Sequence, residues 1–371
     1  MARLSPLIAA LLVLAACAAP QSRTAEEPAQ EPAIEIGSLR NARAALPAPA
    51  PGERWTYFAS GLPEEEREDW ERAAPGVEIV TGLSREEAIA RAAEAHGADG
   101  WYATPEFLAR AGQLAWVQAT SSGVERHLAV PALRDSERII LTNMQGASGP
   151  AIADHAFGML LSLSRELRFY AREQDAGRWA RGGGAHAFTL QDRTLLVVGL
   201  GGIGTEIARR GAGFGMRVIA TRRSDAPGPD YVERVGRSED LLTLLPEADV
   251  VAIAVPLTAE TEGLFDAEAF AVMKPGAILI NVARGKVVDT AALLDALQSG
   301  RLGGACLDVT DPEPLPSGHA LWREPRVVIT PHVASDSDLT GERAVALLRE
   351  NLRRFGAGEP LLNVVDKSAG Y

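Results

Sequence analysis

The sequence predicts an α/β protein built from two doubly wound domains. Three observations carry that expectation. From Trp55 onward, short apolar runs alternate with helical patterns almost to the end of the chain. Such alternation marks parallel strands covered on both faces. A glycine turn, Gly199 to Gly204, follows the apolar run Leu195 to Val198 and opens a helical pattern. Before Trp55 the composition changes, and no strand-and-helix rhythm is present.

The leader comes first. Arg3 precedes an apolar run from Leu7 to Ala16, followed by Cys17. This has the form of a secretory signal. It is too short to span a bilayer, which takes about 20 residues. Leu14-Ala15-Ala16-Cys17 resembles the lipobox of bacterial lipoproteins. That resemblance implies a signal peptide over residues 1–16 and a lipid anchor on Cys17. Residues 17–51, rich in Ala, Pro, Glu and Gln, read as a disordered tether. The expected location is then exported and membrane-anchored. A misassigned start codon would instead leave the protein in the cytoplasm. The net charge of -12 argues against nucleic acid as a partner. If Cys17 carries lipid, Cys306 is left alone of the two cysteines, in the apolar stretch Gly303 to Val309, and reads as a core thiol.

The body opens with a small βα domain, residues 52–148. Strands are expected at Trp55 to Ala59, Val77 to Val80, Gly100 to Ala103, Leu114 to Thr120 and Ile139 to Thr142. Pro63 opens an acidic helix, and Ser84 with Glu87 forms a capping box. A long helix is expected from Gly149 to Tyr170, because Ile152, Ala156, Met159, Leu160, Leu163 and Leu167 recur at helical spacing. It opens the second domain, residues 149–334. Strands are expected there at Arg217 to Thr221, Asp249 to Val255, Ala277 to Val282, Gly303 to Val309 and Val327 to Thr330. A last helix, Leu339 to Phe355, lies in the segment 335–371, which is expected to return to the first domain.

The glycine turn is the first functional signal. Gly199, Gly201 and Gly204 make a G-x-G-x-x-G pattern between a strand and a helix. That context suits a dinucleotide. The glycines permit a tight turn and a close backbone approach to a pyrophosphate, and the helix start supplies N–H groups. Gly202 and Ile203 complete the cofactor-binding turn. In doubly wound sheets, ligands bind beyond the carboxyl ends of the strands. Three ionisable residues fall there: Arg284, Glu313 and His332. They suit redox chemistry at a 2-hydroxy or 2-oxo acid. The histidine exchanges the hydroxyl proton, a carboxylate fixes its tautomer, and the arginine binds the substrate carboxylate. A nicotinamide supplies or accepts the hydride.

The chain from Trp55 onward resembles the D-isomer-specific 2-hydroxyacid dehydrogenase family. VVGLGGIG, VPLTAETEGLFD, MKPGAILINVARGKVVD, LDVTDPEPLPSGHALW and VVITPHVAS carry the likeness, in that order. The resemblance implies a Rossmann-type NAD(P)-binding domain inserted in a flavodoxin-like substrate domain. It assigns Arg284, Glu313 and His332 as catalytic, with His332 the acid/base. It places the substrate carboxylate at Ser121, Ser122 and Gly123, in WVQATSSGVERHL. Val255, Pro256, Thr258, Val282, Ala283 and Asp308 are expected to line the cofactor. The pattern is closest to the glyoxylate and hydroxypyruvate reductase branch, and a homodimer is implied. Asp154-His155 stands where many relatives have Glu-His.

The cofactor signal departs from the NAD pattern. An acidic residue about 20 positions after the glycine turn binds the ribose hydroxyls of NAD. Here Arg222, Arg223 and Ser224 occupy that place. Two guanidiniums and a hydroxyl attract a 2′-phosphate, so NADP is expected, with NAD possible if Asp225 takes the acidic role. The leader conflicts with this, because the compartment beyond the membrane is expected to be poor in NADPH. A tethered, nucleotide-binding module without catalysis is the alternative expectation.

Overall fold

The computed structural model describes residues 46, 48–181 and 187–371. The expected signal peptide, Cys17 and most of the expected tether lie outside them. The described chain divides into two compact units. One holds the residues up to Met144 together with Gly341–Lys367. The other holds Gln145–Thr340 and Ser368–Tyr371.

The first unit is built on five parallel strands: β1 (Trp55–Phe58), β2 (Val77–Val80), β3 (Gly97–Asp99), β4 (Trp116–Gln118) and β5 (Ile140–Thr142). Their order is β2-β1-β3-β4-β5, the flavodoxin-like order. One face is covered by Phe58, Phe107, Val117, Leu133 and Leu141. The other buries Tyr57, Trp70, Trp116, Leu352 and Phe355. The capping box forms as expected: Ser84 Oγ accepts from the Glu87 N–H at 3.2 Å, and Glu87 accepts from the Ser84 N–H at 2.8 Å. At the end of β3, buried Asp99 accepts from the Tyr57 hydroxyl at 2.5 Å and from the Ser60 N–H at 2.6 Å. Burial raises the Asp99 carboxyl above its ordinary value.

His127 gives this unit an acid sensitivity. The residue is 3% exposed. Among the described residues, neither ring nitrogen has a hydrogen-bond partner. Burial, aided by neighbouring Arg126, lowers its pKa from 6.5 to about 4. A group whose folded pKa is depressed takes up its proton first in the unfolded chain. Stability is therefore complete above pH 6.5 and falls as the pH drops toward 4, by about 3 kcal/mol. His127→Phe is expected to flatten this dependence in urea titrations between those pH values. An unchanged slope would refute the assignment.

The second unit holds seven parallel strands. They are β6 (Thr194–Val198), β7 (Arg217–Thr221), β8 (Arg234–Gly236), β9 (Val250–Ile253), β10 (Ala277–Asn281), β11 (Leu302–Leu307) and β12 (Val327–Ile329). The order β12-β11-β10-β9-β6-β7-β8 contains the Rossmann order and confirms the expected fold class. Strands β6, β9 and β10 are buried throughout, as their unbroken apolar runs require. The strand order reverses between β6 and β9, which opens the ligand crevice at the carboxyl end of β6. Cys306 is fully buried, and burial pushes its thiol pKa up to about 12. This is the core thiol the sequence suggested.

Three elements differ from expectation. The strand expected at Gly100 to Ala103 lies one step earlier, at Gly97–Asp99, and the chain turns at Gly100, where the Tyr102 N–H donates to the Asp99 carbonyl at 3.0 Å. The long helix is two helices, Gly149–Ser164 and Leu167–Asp175. Glu166 between them takes a left-handed backbone, φ 54°, and the Glu166 N–H donates to the Leu163 carbonyl. The first helix keeps its apolar stripe on the core, while Leu167 turns out half-exposed. Strand β8 was not expected. Arg234-Val235-Gly236 has no apolar run because it is an edge strand with one neighbour.

Candidate active site

The glycine turn fits a dinucleotide. A Cβ added at Gly204 would lie 2.0 Å from the Gly199 carbonyl oxygen, so only glycine lets the helix pack this close to the turn. A Cβ added at Gly201 would meet nothing within 4 Å. That open space borders the start of the helix Gly202–Gly213. The first N–H groups of a helix lack partners within it, and they carry the positive end of its dipole. Gly202 and Ile203 are the first two residues of this helix.

The loop after β7 carries the residues expected at the adenosine end of a cofactor. Arg222 holds its own loop by donating to the Ala226 carbonyl at 3.2 Å and the Pro227 carbonyl at 3.1 Å. Asp225, the carboxylate that the sequence offered for NAD here, is paired to Arg237. Arg237 follows β8, and sequence reasoning missed it because it missed that strand. The Arg223 guanidinium lies 4.6 Å from the centre of the Tyr371 ring. Ser224 lies exposed in the same loop. Val255, Pro256 and Thr258 follow β9, where the Thr261 hydroxyl donates to the Pro256 carbonyl at 2.6 Å.

The three ionisable residues lie beyond adjacent strands. Asn281, Leu307 and Ile329 are in register across β10, β11 and β12. Arg284 and His332 each stand three residues beyond that line. Val282 and Ala283 fill the step to Arg284, and both are buried. Buried Asn281 fixes the turn: its side chain accepts from the Ala283 N–H at 3.0 Å and donates to the Arg284 carbonyl at 2.9 Å. A Cβ added at Gly285 would lie 1.9 Å from the Thr310 carbonyl oxygen. The loop carrying Arg284 therefore packs directly on the loop leading to Glu313.

His332 Nδ1 lies 2.7 Å from Glu313 Oε1, and both side chains remain nearly half-exposed. Nδ1 is thereby committed to the carboxylate, and Nε2 is the nitrogen left for a reacting group. His332 holds a left-handed backbone, φ 57°. Its N–H donates to the Asp308 carbonyl at 2.8 Å. The buried Asp308 carboxylate accepts from the N–H groups of Val333 at 3.0 Å and Ala334 at 3.1 Å. Ser121, Ser122 and Gly123 lie in the first unit, after β4. There the Ser122 hydroxyl donates to the Met144 carbonyl at 3.1 Å, and Ser121 to the Gly123 carbonyl at 2.8 Å.

A dinucleotide cradle with a carboxylate-held histidine and an arginine on one sheet edge defines a nicotinamide-dependent oxidoreductase. Residues 157–334 match the family described as D-isomer specific 2-hydroxyacid dehydrogenase, NAD binding domain. A glyoxylate reductase of Pyrococcus furiosus is 39% identical over 241 residues, 62% of this chain and 69% of that protein. A D-isomer specific 2-hydroxyacid dehydrogenase family protein of Aeromonas salmonicida shares 35% identity and a TM-score of 0.72, over 85% of this chain and 99% of that one. A dehydrogenase of the same description from Xanthobacter autotrophicus, solved with NADPH and MES, shares 32% identity and a TM-score of 0.70. It aligns over 86% of this chain and all of that one. The chain belongs to the D-isomer specific 2-hydroxyacid dehydrogenase family. Its class is therefore NAD(P)-dependent oxidoreductase of 2-hydroxy acids, and a module without catalysis is not favoured.

Proposed function

We propose that this protein reduces a small 2-oxo acid to the D-2-hydroxy acid with NADPH. The hydrogen bond between His332 and Glu313, on the strand edge that also carries Arg284, supports this reading most directly. The bound nicotinamide supplies the hydride. Arg284 binds the substrate carboxylate and polarises the adjacent carbonyl. His332 delivers a proton from Nε2 to the carbonyl oxygen as the carbon accepts the hydride. The product is the neutral hydroxyl, and the imidazole is reprotonated from solvent. Glu313 keeps the proton on Nδ1, which leaves Nε2 to face the reacting carbonyl. The likeness of WVQATSSGVERHL to the family's substrate loop supports a substrate-binding role for Ser121, Ser122 and Gly123. Asp308, Val255, Pro256, Thr258, Val282 and Ala283 line the cofactor.

The test is turnover by purified residues 52–371 with glyoxylate, hydroxypyruvate and pyruvate, using each cofactor. Reduction of at least one acid with NADPH is expected. Tight NADPH binding with no turnover on the panel would overturn the proposal. Glyoxylate is the first acid to try, given the name of the Pyrococcus furiosus relative.

Two further parts of the proposal concern the whole chain. The second unit exposes Trp179, Tyr170 and Leu167. Apolar surface of this kind supports a homodimer formed by the nucleotide-binding units, and a monomer by sedimentation would exclude it. The lipobox-like sequence supports an exported protein anchored through Cys17. Lipid labelling of the native chain should disappear in Cys17→Ser, and an unlabelled native chain would remove the anchor.

A further inference from the structure

His155 lies outside the set of residues assigned above. It sits on the helix Gly149–Ser164, away from every strand end, yet its ring reaches the carboxyl end of β12. His155 Nε2 is 2.8 Å from Thr330 Oγ1. The Thr330 hydroxyl has one proton. It lies 2.6 Å from Asp308 Oδ1 and 3.6 Å from the Met159 sulfur. A charge-assisted bond to a buried carboxylate outweighs a long contact to a thioether. Thr330 therefore donates to Asp308 and can only accept from His155, so Nε2 of His155 carries a proton.

The relay ends on the segment that carries the reacting histidine. Asp308 accepts the N–H groups of Val333 and Ala334 through its carboxylate, and that of His332 through its carbonyl. Three consecutive N–H groups are thus held by one buried residue. His332 itself sits in left-handed backbone, which a residue with a Cβ rarely adopts. Such a conformation persists only where its surroundings over-determine it. Asp308 supplies that determination, and its own orientation depends on the Thr330 hydroxyl.

We propose that His155 is a positioning residue for the reduction: it orients the Thr330 hydroxyl onto Asp308, which fixes the backbone that aims His332. The inference rests on His332 being the proton donor. His155→Phe keeps an aromatic ring and removes the donor, while His155→Gln restores an N–H near the position of Nε2. Thr330→Val removes the relay hydroxyl and keeps the branched shape.

In steady-state assays His155→Phe is expected to lower kcat about tenfold, the factor corresponding to about 1.4 kcal/mol, one modest hydrogen bond. The KM for the 2-oxo acid and NADPH affinity by fluorescence titration should change by less than about twofold. The solvent deuterium isotope effect on kcat should rise, because a misaimed proton donor makes proton transfer more limiting. His155→Gln should recover most of the rate. His155 Nε2 also approaches Asp308 Oδ1 directly, at 3.7 Å, so in the Thr330→Val background His155→Phe should cost much less than it does alone, because coupled residues are not additive.

Three results would overturn the inference: native kcat in His155→Phe, additive losses in the double variant, or a His155→Gln as slow as His155→Phe with NADPH binding intact. His332→Asn separates this inference from its premise. Native turnover in His332→Asn removes the premise. An inactive His332→Asn beside a fully active His155→Phe removes the role of His155 alone.

Discussion

His332→Asn is expected to lower kcat by about 10²–10⁴-fold, the range a positioned general acid contributes. NADPH binding should stay within about twofold of native. Asparagine is the substitution of choice because His332 has φ 57°. Among residues with a Cβ, asparagine tolerates left-handed backbone well, so the Asp308 contacts to residues 332–334 should survive. The carboxamide cannot deliver a proton as imidazolium does, and the partner carboxylate of Glu313 then has nothing to orient. Stopped-flow reduction with saturating NADPH, alongside fluorescence titration of the cofactor, separates the two effects. Full turnover in this variant would remove His332 from the chemistry. A loss of NADPH binding matching the loss of rate would recast it as a structural residue.

The second large effect is expected at the adenosine end. Replacing Arg222 and Arg223 together by Ala should raise the KM for NADPH by about 10²–10⁴-fold. Each hydrogen bond to a charged group contributes about 1.5–3 kcal/mol, and two are lost. The KM for NADH should change far less, because NADH has no 2′-phosphate to bind. Arg222 also holds the Ala226 and Pro227 carbonyls, so Arg223→Ala alone is the cleaner control. The pairing of Asp225 with Arg237 strengthens the expectation. That carboxylate is compensated by Arg237, so it does not oppose a 2′-phosphate at Arg222 and Arg223. A native preference for NADH, or equal losses with both cofactors, would contradict it.

Much of the fold was legible in the residues. Strands β6, β9 and β10 announced themselves because a strand buried on both faces is dominated by apolar residues, and β7 did so through Val218, Ile219 and Ala220. The glycine turn was legible because close approach leaves few alternatives: no side chain fits at Gly204. Strand β8 was not legible. An edge strand has one neighbour and partial burial, so nothing forces its composition. The break at Glu166 was hidden for a similar reason. Helical periodicity reports which face would be buried, and it continued through Leu167 after the helix itself had ended.

The candidate site divides in the same way. The sequence by itself determined the residue types and their places at strand ends: Arg284, Glu313, His332 and the arginines after β7. Those follow from local pattern, because a parallel sheet sends the end of every strand to one edge. Only the tertiary structure decided which of them meet. The bond from His332 to Glu313 spans 19 residues, and that from His155 to Thr330 spans 175. Neither spacing has a period that a local rule can read. The pairing of Asp225 with Arg237 likewise depends on an edge strand that the sequence did not reveal. Contacts of this kind are set by the register of β10, β11 and β12 and by how the helix Gly149–Ser164 packs on the sheet, and both are properties of the assembled core.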